Sequence, residues 1–127
     1  MDNMISQNLK SIVIAFNNCI NNQDIIGLSS LMTKNHTFIE RTGESHSPKS
    51  FMIKRWKEFF EMFPEYRNTF EKIEVTDNLV SVLGFAYWSE EMQHDPVIWT
   101  AIIEDNLISE WRIYEDTPEN RKKFNFS

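Results

Sequence analysis

Asn106-Leu107-Ile108-Ser109-Glu110-Trp111-Arg112-Ile113-Tyr114-Glu115-Asp116 is the stretch that decides the fold. Asn106 belongs to a turn, and the residues after it alternate. Trp111, Ile113 and Glu115 share one face, while Glu110, Arg112, Tyr114 and Asp116 share the other, which is the two-residue period of a strand. The segment is the last of four strand-like runs, at about 67–76, 79–89, 97–104 and 107–115. Asp77-Asn78 and Asp105-Asn106 separate two pairs of these runs with short residues that tolerate positive φ, so tight hairpins are expected there. Gln93–Pro96 turns the middle connection. Sequential strands joined in this way form an antiparallel meander.

Upstream of the meander the period changes. Ile5, Leu9, Ile12, Val13, Phe16 and Ile20 fall three or four apart and make one apolar helical stripe over residues 5–21. Asp24 opens a short second helix, with Ile25, Leu28, Leu31 and Met32 available for the core. Residues 36–41 read as a short strand, with His36, Phe38 and Glu40 on one face. After the Gly43 loop, Ser47-Pro48 is a helix start signal, Ser as cap and Pro at the first helical position. That third helix runs to about Phe63, where Pro64 ends it. The tail from Thr117 to Ser127 is polar and expected to be loosely held, with Phe124 and Phe126 able to dock.

Bulk properties bound the class. A chain of 127 residues is one domain, with a core over about 5–116, and its 41% hydrophobic and 13% aromatic content demands an interior or a cavity wall. A net charge of −6 lacks the basic footprint of a nucleic-acid binder, so no nucleic-acid partner is expected. The basic run Lys49, Lys54, Arg55 and Lys57 reads as a solvated helix face. Cys19 is the single cysteine, which fits a reducing compartment. There is neither a signal-peptide pattern nor an apolar run near the roughly 20 residues that span a bilayer, so a cytoplasmic protein without a membrane partner is expected. The meander has apolar residues on both faces: Val80, Val82, Ala86 and Trp88 oppose Leu79, Leu83, Phe85 and Tyr87. Helices can cover one side only, so a homodimer through the outer sheet face is expected.

Helix, helix, short strand, helix and four meandering strands, in that order, resemble the NTF2-like, or SnoaL-like, superfamily over about residues 5–116. The pieces that carry the resemblance are Asn22-Gln23-Asp24, Phe38-Ile39-Glu40 before the glycine loop, and Leu107–Asp116. The resemblance implies an α+β fold. Its N-terminal helices would pack in a strongly curved mixed or antiparallel sheet, forming a cone with a pocket at its open end, and dimers are frequent. It also implies a choice among isomerases, cyclases, dehydratases, epoxide hydrolases and non-catalytic binding or accessory proteins, because fold does not fix function.

Candidate residues follow from both lines. Family enzymes place an acid near Glu40, and a carboxylate surrounded by Phe38, Trp56 and Phe60 would be desolvated and suited to acid–base work; a rim Glu paired with Arg41 or a lysine is the plainer alternative. His36 shares its face and could assist, or could be a strand-edge histidine in solvent. Glu115 would lie near the mouth. Ketosteroid-isomerase-like members place a Tyr on the first helix, where this chain has Phe16. Cyclase-like members carry an acid after the Trp of the last strand, where this chain has Arg112. Both departures weigh against those chemistries. Phe16, Phe38, Trp56, Phe60, Trp99, Trp111 and Ile113 would wall a pocket for a small apolar or aromatic ligand. If the opposite face of the last strand points inward, through a bulge for example, Arg112 and Tyr114 become an anion-binding pair. No histidine spacing or cysteine cluster marks a metal site, and no glycine-rich loop marks a nucleotide site, so no cofactor is expected. The open choice is a small-molecule-binding domain, with or without proton-transfer catalysis, or a non-catalytic dimeric interaction protein.

Overall fold

A computed structural model describes residues 2–89 and 94–126. In chain order the elements are α1 (Asp2–Asn21), α2 (Ile25–Ser30), β1 (Met32–Ile39), β2 (Ser45–His46), α3 (Lys49–Met62), β3 (Arg67–Thr76), β4 (Leu79–Tyr87), β5 (Asp95–Glu104), β6 (Leu107–Glu115) and α4 (Pro118–Lys123). The six strands form one open sheet in the order β2-β1-β6-β5-β4-β3. The β3–β6 meander is antiparallel, and β1 adds to β6 in parallel. The fold is thus α+β with a mixed sheet.

The α1 stripe works as its spacing requires from Leu9 on, while Ile5 at its start is exposed. Val13, Phe16 and Ile20 are fully buried, each worth about 1.5–3 kcal/mol of apolar transfer. They pack with Val80, Val82, Trp99 and Trp111 from the inner sheet face in one core. Asp24 caps α2 by accepting from the Gly27 N–H at 2.9 Å. Asp105 and Asn106 both take positive φ, 53° and 64°, as a two-residue hairpin demands. The turn expected at 93–96 begins at Gln93, which lies outside the described residues.

Two bulges shape the meander. In β3, Glu71 is the extra residue between the Phe70–Gly84 and Lys72–Leu83 pairs. In β6, Ser109 is the extra residue between the Ile108–Ile103 and Glu110–Ile102 pairs. Each bulge adds bend and twist to its strand. Gly84 answers the first one: a Cβ there would sit 2.1 Å from the Thr69 carbonyl oxygen, so only glycine lets the strands close. The Ser109 bulge turns both Ile108 and Trp111 inward. It therefore settles the face of the last strand in favour of Trp111 and Ile113, and leaves Arg112 and Tyr114 outside.

Three expectations need correction. Ser47 does not cap α3: Pro48 is the capping residue, without a side-chain cap bond, and the Ser47–Pro48 peptide is cis. β1 begins at Met32 rather than His36, because Met32 pairs with Ile108 and draws the end of α2 into the sheet. The tail is ordered: Thr117 caps α4 through the Asn120 N–H, and Arg121 makes a two-pronged pair with Asp116 at 2.6 and 2.8 Å. Phe124 and Phe126 are buried with Leu83 and Ile98 in a second cluster. That tail covers part of the outer sheet face, the surface whose apolarity raised the expectation of a homodimer. Among the described residues, the large exposed apolar side chains, Met4, Ile5, Ile14, Ile26, Phe51 and Met62, all lie on helices. No helix is long and apolar enough to cross a membrane.

His36 is the other surprise. It is fully buried, neither at a wet edge nor beside a carboxylate. Between Met32 and Thr37 the parallel ladder slips, five steps along β1 against two along β6. The His36 ring fills the gap, its Nδ1 standing 2.7 Å from the Ile108 carbonyl. A carbonyl only accepts, so Nδ1 carries the proton; Nε2 is then a buried acceptor without a partner. Burial pushes the His36 pKa below its ordinary value, and the charge of Lys49 adds to that, against the opposing bond to Ile108.

Candidate functional site

The inner sheet face and α3 enclose a cavity of about 320 Å³. Its deep wall is Ala86, Val97, Trp99, Trp111 and Ile113 from the meander. Phe38 of β1 and Met52, Trp56 and Phe59 of α3 close the sides, and Trp88 adds a further ring. All four tryptophans of the chain line it. The rings make a continuous wall rather than a plug: Phe38 meets Trp56 edge-on at 6.3 Å, Trp56 meets Phe59 at 5.7 Å, and Trp99 lies near-parallel to Trp111 at 6.4 Å.

Polar groups enter this wall at two places. Deep inside stand Tyr66 and Asn68, both buried. Burial pushes the Tyr66 pKa far up, outweighing a bond from the Asn68 side chain, so the phenol stays protonated and available to donate. Asn68 is held from behind by α1. Asn21 accepts from its N–H at 2.8 Å and donates to its carbonyl at 2.9 Å, and Asn17 donates to the same carbonyl at 3.3 Å. Asn17 and Asn21, in the last turns of α1, are therefore what anchors the first residues of β3.

At the open end stand Glu40, Arg41, Thr42, His46 and Arg55. Glu40 closes a turn with Glu44, donating its backbone N–H to the Glu44 carbonyl at 2.9 Å, and Gly43 takes φ 92° to complete it. The hairpin sets Phe38 opposite His46, which puts Glu40 diagonal to His46 on the same face. His46 Nε2 is 2.6 Å from a Glu40 carboxylate oxygen. The imidazole lies near-parallel to Phe38 at 6.2 Å and to Phe51 at 6.1 Å. Arg41 is engaged by Asp95 in an ion pair.

The residues singled out from sequence divide accordingly. Phe38, Glu40, Trp56, Trp99, Trp111 and Ile113 line the cavity. Phe16 and Phe60 do not; they are core residues, packed on Trp111 at 5.0 Å and Trp56 at 5.5 Å. His36 is in the core as described, and Glu115 is exposed at the end of β6, away from the lining. Arg112 stacks on the Tyr114 ring at 4.6 Å on the outer face. Glu40 is not desolvated as anticipated: its side chain is 43% exposed and its partner is a histidine, not Arg41 or a lysine. Sequence reasoning passed over Tyr66, Asn68 and His46. A β-turn signal at Gly43 was visible and would have brought His46 back onto Glu40. The same hairpin brings ligand atoms of Glu40, Glu44 and His46 within 4.8 Å of one another, a grouping that linear spacing did not reveal. Glu44 is exposed to solvent and Glu40 is already engaged by His46, so the grouping stands as an acidic rim.

Comparison with known proteins agrees with this architecture. A SnoaL-like candidate polyketide cyclase from Jannaschia sp. CCS1 superposes with a TM-score of 0.74 at 16% identity, over 95% of this chain and 94% of that one. An LEH-like epoxide hydrolase from M. tuberculosis gives 0.75 at 14% identity, over 94% and 90%. An NTF2-like protein of unknown function from Cytophaga hutchinsonii gives 0.71 at 13% identity, over 85% and 89%. No family model matches the sequence, and no curated protein matches it. The chain shares the overall fold of these NTF2-like and SnoaL-like proteins.

Proposed function

We propose that this chain binds a small, largely apolar, flat organic molecule in the cavity between α3 and the inner sheet face. The observation that carries the reading is the cavity itself: about 320 Å³, open at one end, walled by every tryptophan of the chain. Ligand sites typically enclose about 300–1,000 Å³, mostly apolar with a few placed polar groups, so this one fits a compound of one or two fused rings. Tyr66 and Asn68 give the buried end a hydrogen-bonding partner, and Glu40, His46 and Arg55 face the end that remains near solvent. The names of two structural neighbours, an epoxide hydrolase and a candidate polyketide cyclase, point to the same broad ligand class.

A thermal-shift screen of mono- and bicyclic aromatic compounds tests the reading. A ligand at 100 times its Kd adds about 2.7 kcal/mol, a Tm rise of roughly 10 °C for a domain of this size. Ala86→Phe fills the cavity from its β4 wall. It is expected to fold and to lose the ligand-induced rise. A broad library without a hit, or a hit whose shift survives Ala86→Phe, refutes the cavity as the binding site.

A further inference from the structure

We propose that the ligand of this cavity carries a carboxylate on its ring system, and that Arg55 of α3 binds that carboxylate at the mouth. This rests on the cavity being the binding site. Met52, Arg55, Trp56 and Phe59 are the α3 residues that line the chamber. They fall three or four apart, so they form one stripe on the helix. Three of them are apolar, as a wall requires, and one is charged. The basic run of the sequence therefore divides: Lys49, Lys54 and Lys57 lie off the lining, whereas Arg55 belongs to it. Arg55 is also exposed. An arginine so placed lays its apolar stem along the wall and keeps its guanidinium at the wet end.

The other charges of the opening are already matched. Glu40, the single acid of the lining among the described residues, is held by His46 Nε2 at 2.6 Å, and Arg41 is engaged by Asp95. Arg55 has no ion pair among the described residues, not even with Glu58 one turn on. Its neighbours do not offset it either. Residues 49–57 hold Lys49, Lys54, Arg55 and Lys57 and no acid, in a chain whose net charge is −6.

With the pairs cancelled, one positive charge remains at the edge of an apolar chamber, where low-dielectric walls focus its field. The ring compound that complements it is an anion. A planar guanidinium matches the two oxygens of a carboxylate, and such charge-assisted bonds are about twice as strong as those to a neutral carbonyl or hydroxyl. The rings then lie against Trp99 and Trp111 while the carboxylate stays at the mouth, so the acid keeps part of its hydration and escapes the cost of burying a charge.

Calorimetry with 2-naphthoate, its methyl ester and 2-naphthamide tests this at about pH 7.5, well above the carboxylate range. The three share one ring system, and only the first is charged. The wild-type chain is expected to bind the acid at least about tenfold more tightly than the ester or the amide. The preference should narrow between about 50 and 500 mM salt, because an exposed charge contact is screened. Arg55→Gln brings the acid down to the affinity of the ester and leaves the ester unchanged. Arg55→Lys retains part of the preference, since it keeps the charge and loses the fork. Lys57→Gln removes the same charge from the same helix but off the lining, and should leave the preference within about twofold. An acid bound no more tightly than its ester, or a preference that survives Arg55→Gln or falls as far in Lys57→Gln, overturns the assignment and leaves the cavity reading standing. If acid, ester and amide all fail to bind, the cavity reading fails for bicyclic rings and the carboxylate falls with it.

Discussion

Replacing His36 offers the sharpest check on how the sheet is held. The imidazole is fully buried and its Nδ1–H donates to the Ile108 carbonyl across a break in the β1–β6 ladder. His36→Ala leaves that carbonyl buried without a donor, which costs about 1–3 kcal/mol, and leaves a void that adds roughly 1–2 kcal/mol more. His36→Asn places an amide N–H near the position of Nδ1, so it is expected to recover about 1–2 kcal/mol of that loss. The pH dependence separates this account from simple packing. The folded-state pKa of His36 lies below its ordinary value, while the unfolded value is about 6.5. The unfolded chain therefore takes up the proton first. Stability from this group is complete above about pH 6.5 and falls as pH drops, by at most about 1.4 kcal/mol per pH unit, until the folded pKa is reached. Urea unfolding followed by circular dichroism at pH 8 and pH 5 measures it. His36→Asn should lose one proton's worth of that slope. Equal stability of the Ala and Asn variants, or an unchanged slope in His36→Asn, refutes the reasoning.

Two further outcomes follow from the sheet and the tail. Gly84→Ala sets a methyl group against the Thr69 carbonyl, rigid backbone beside a bulge, and is expected to cost about 3 kcal/mol or more in urea unfolding; a cost under about 1 kcal/mol would show that the bulge yields. Removing residues 117–127 uncovers Leu83 and Ile98, and sedimentation should show stronger self-association than in the full chain. Phe124→Ser with Phe126→Ser should act the same way, and no change in either variant would mean that the tail shields nothing.

What was readable in the sequence was what local chemistry controls. The α1 stripe from Leu9 on, the Asp24 cap, the Asp105-Asn106 turn and the β6 alternation from Glu110 to Glu115 all depend on neighbours within a few residues, and each took its expected form. Three of the failures have one cause in common, long-range pairing. β1 starts early because Met32 finds Ile108. His36 is buried because the ladder breaks where β1 crosses β6. The tail folds because Leu83 and Ile98 lie uncovered beneath it. At the site, Glu40 and the wall residues Phe38, Trp56, Trp99, Trp111 and Ile113 were legible from pattern. His46 was not, because its partner is fixed by the Gly43 hairpin and not by spacing. Nor were Tyr66 and Asn68, the latter placed by Asn17 and Asn21 of a helix some fifty residues earlier.

With all four tryptophans in the wall of one cavity, the tryptophan fluorescence of the protein originates there and nowhere else in the chain. A ring-bearing compound that enters must displace the surroundings of several indoles at once, so quenching or a shifted emission maximum reports occupancy without a label. The same fact limits that signal as a gauge of folding. Tryptophan emission follows the cavity wall, Trp111 of the β1–β6 seam included, whereas the tail is silent in that signal. Unfolding curves from fluorescence and from backbone dichroism will coincide only if those regions melt together, which turns a disagreement between the two into a map of where the fold opens first.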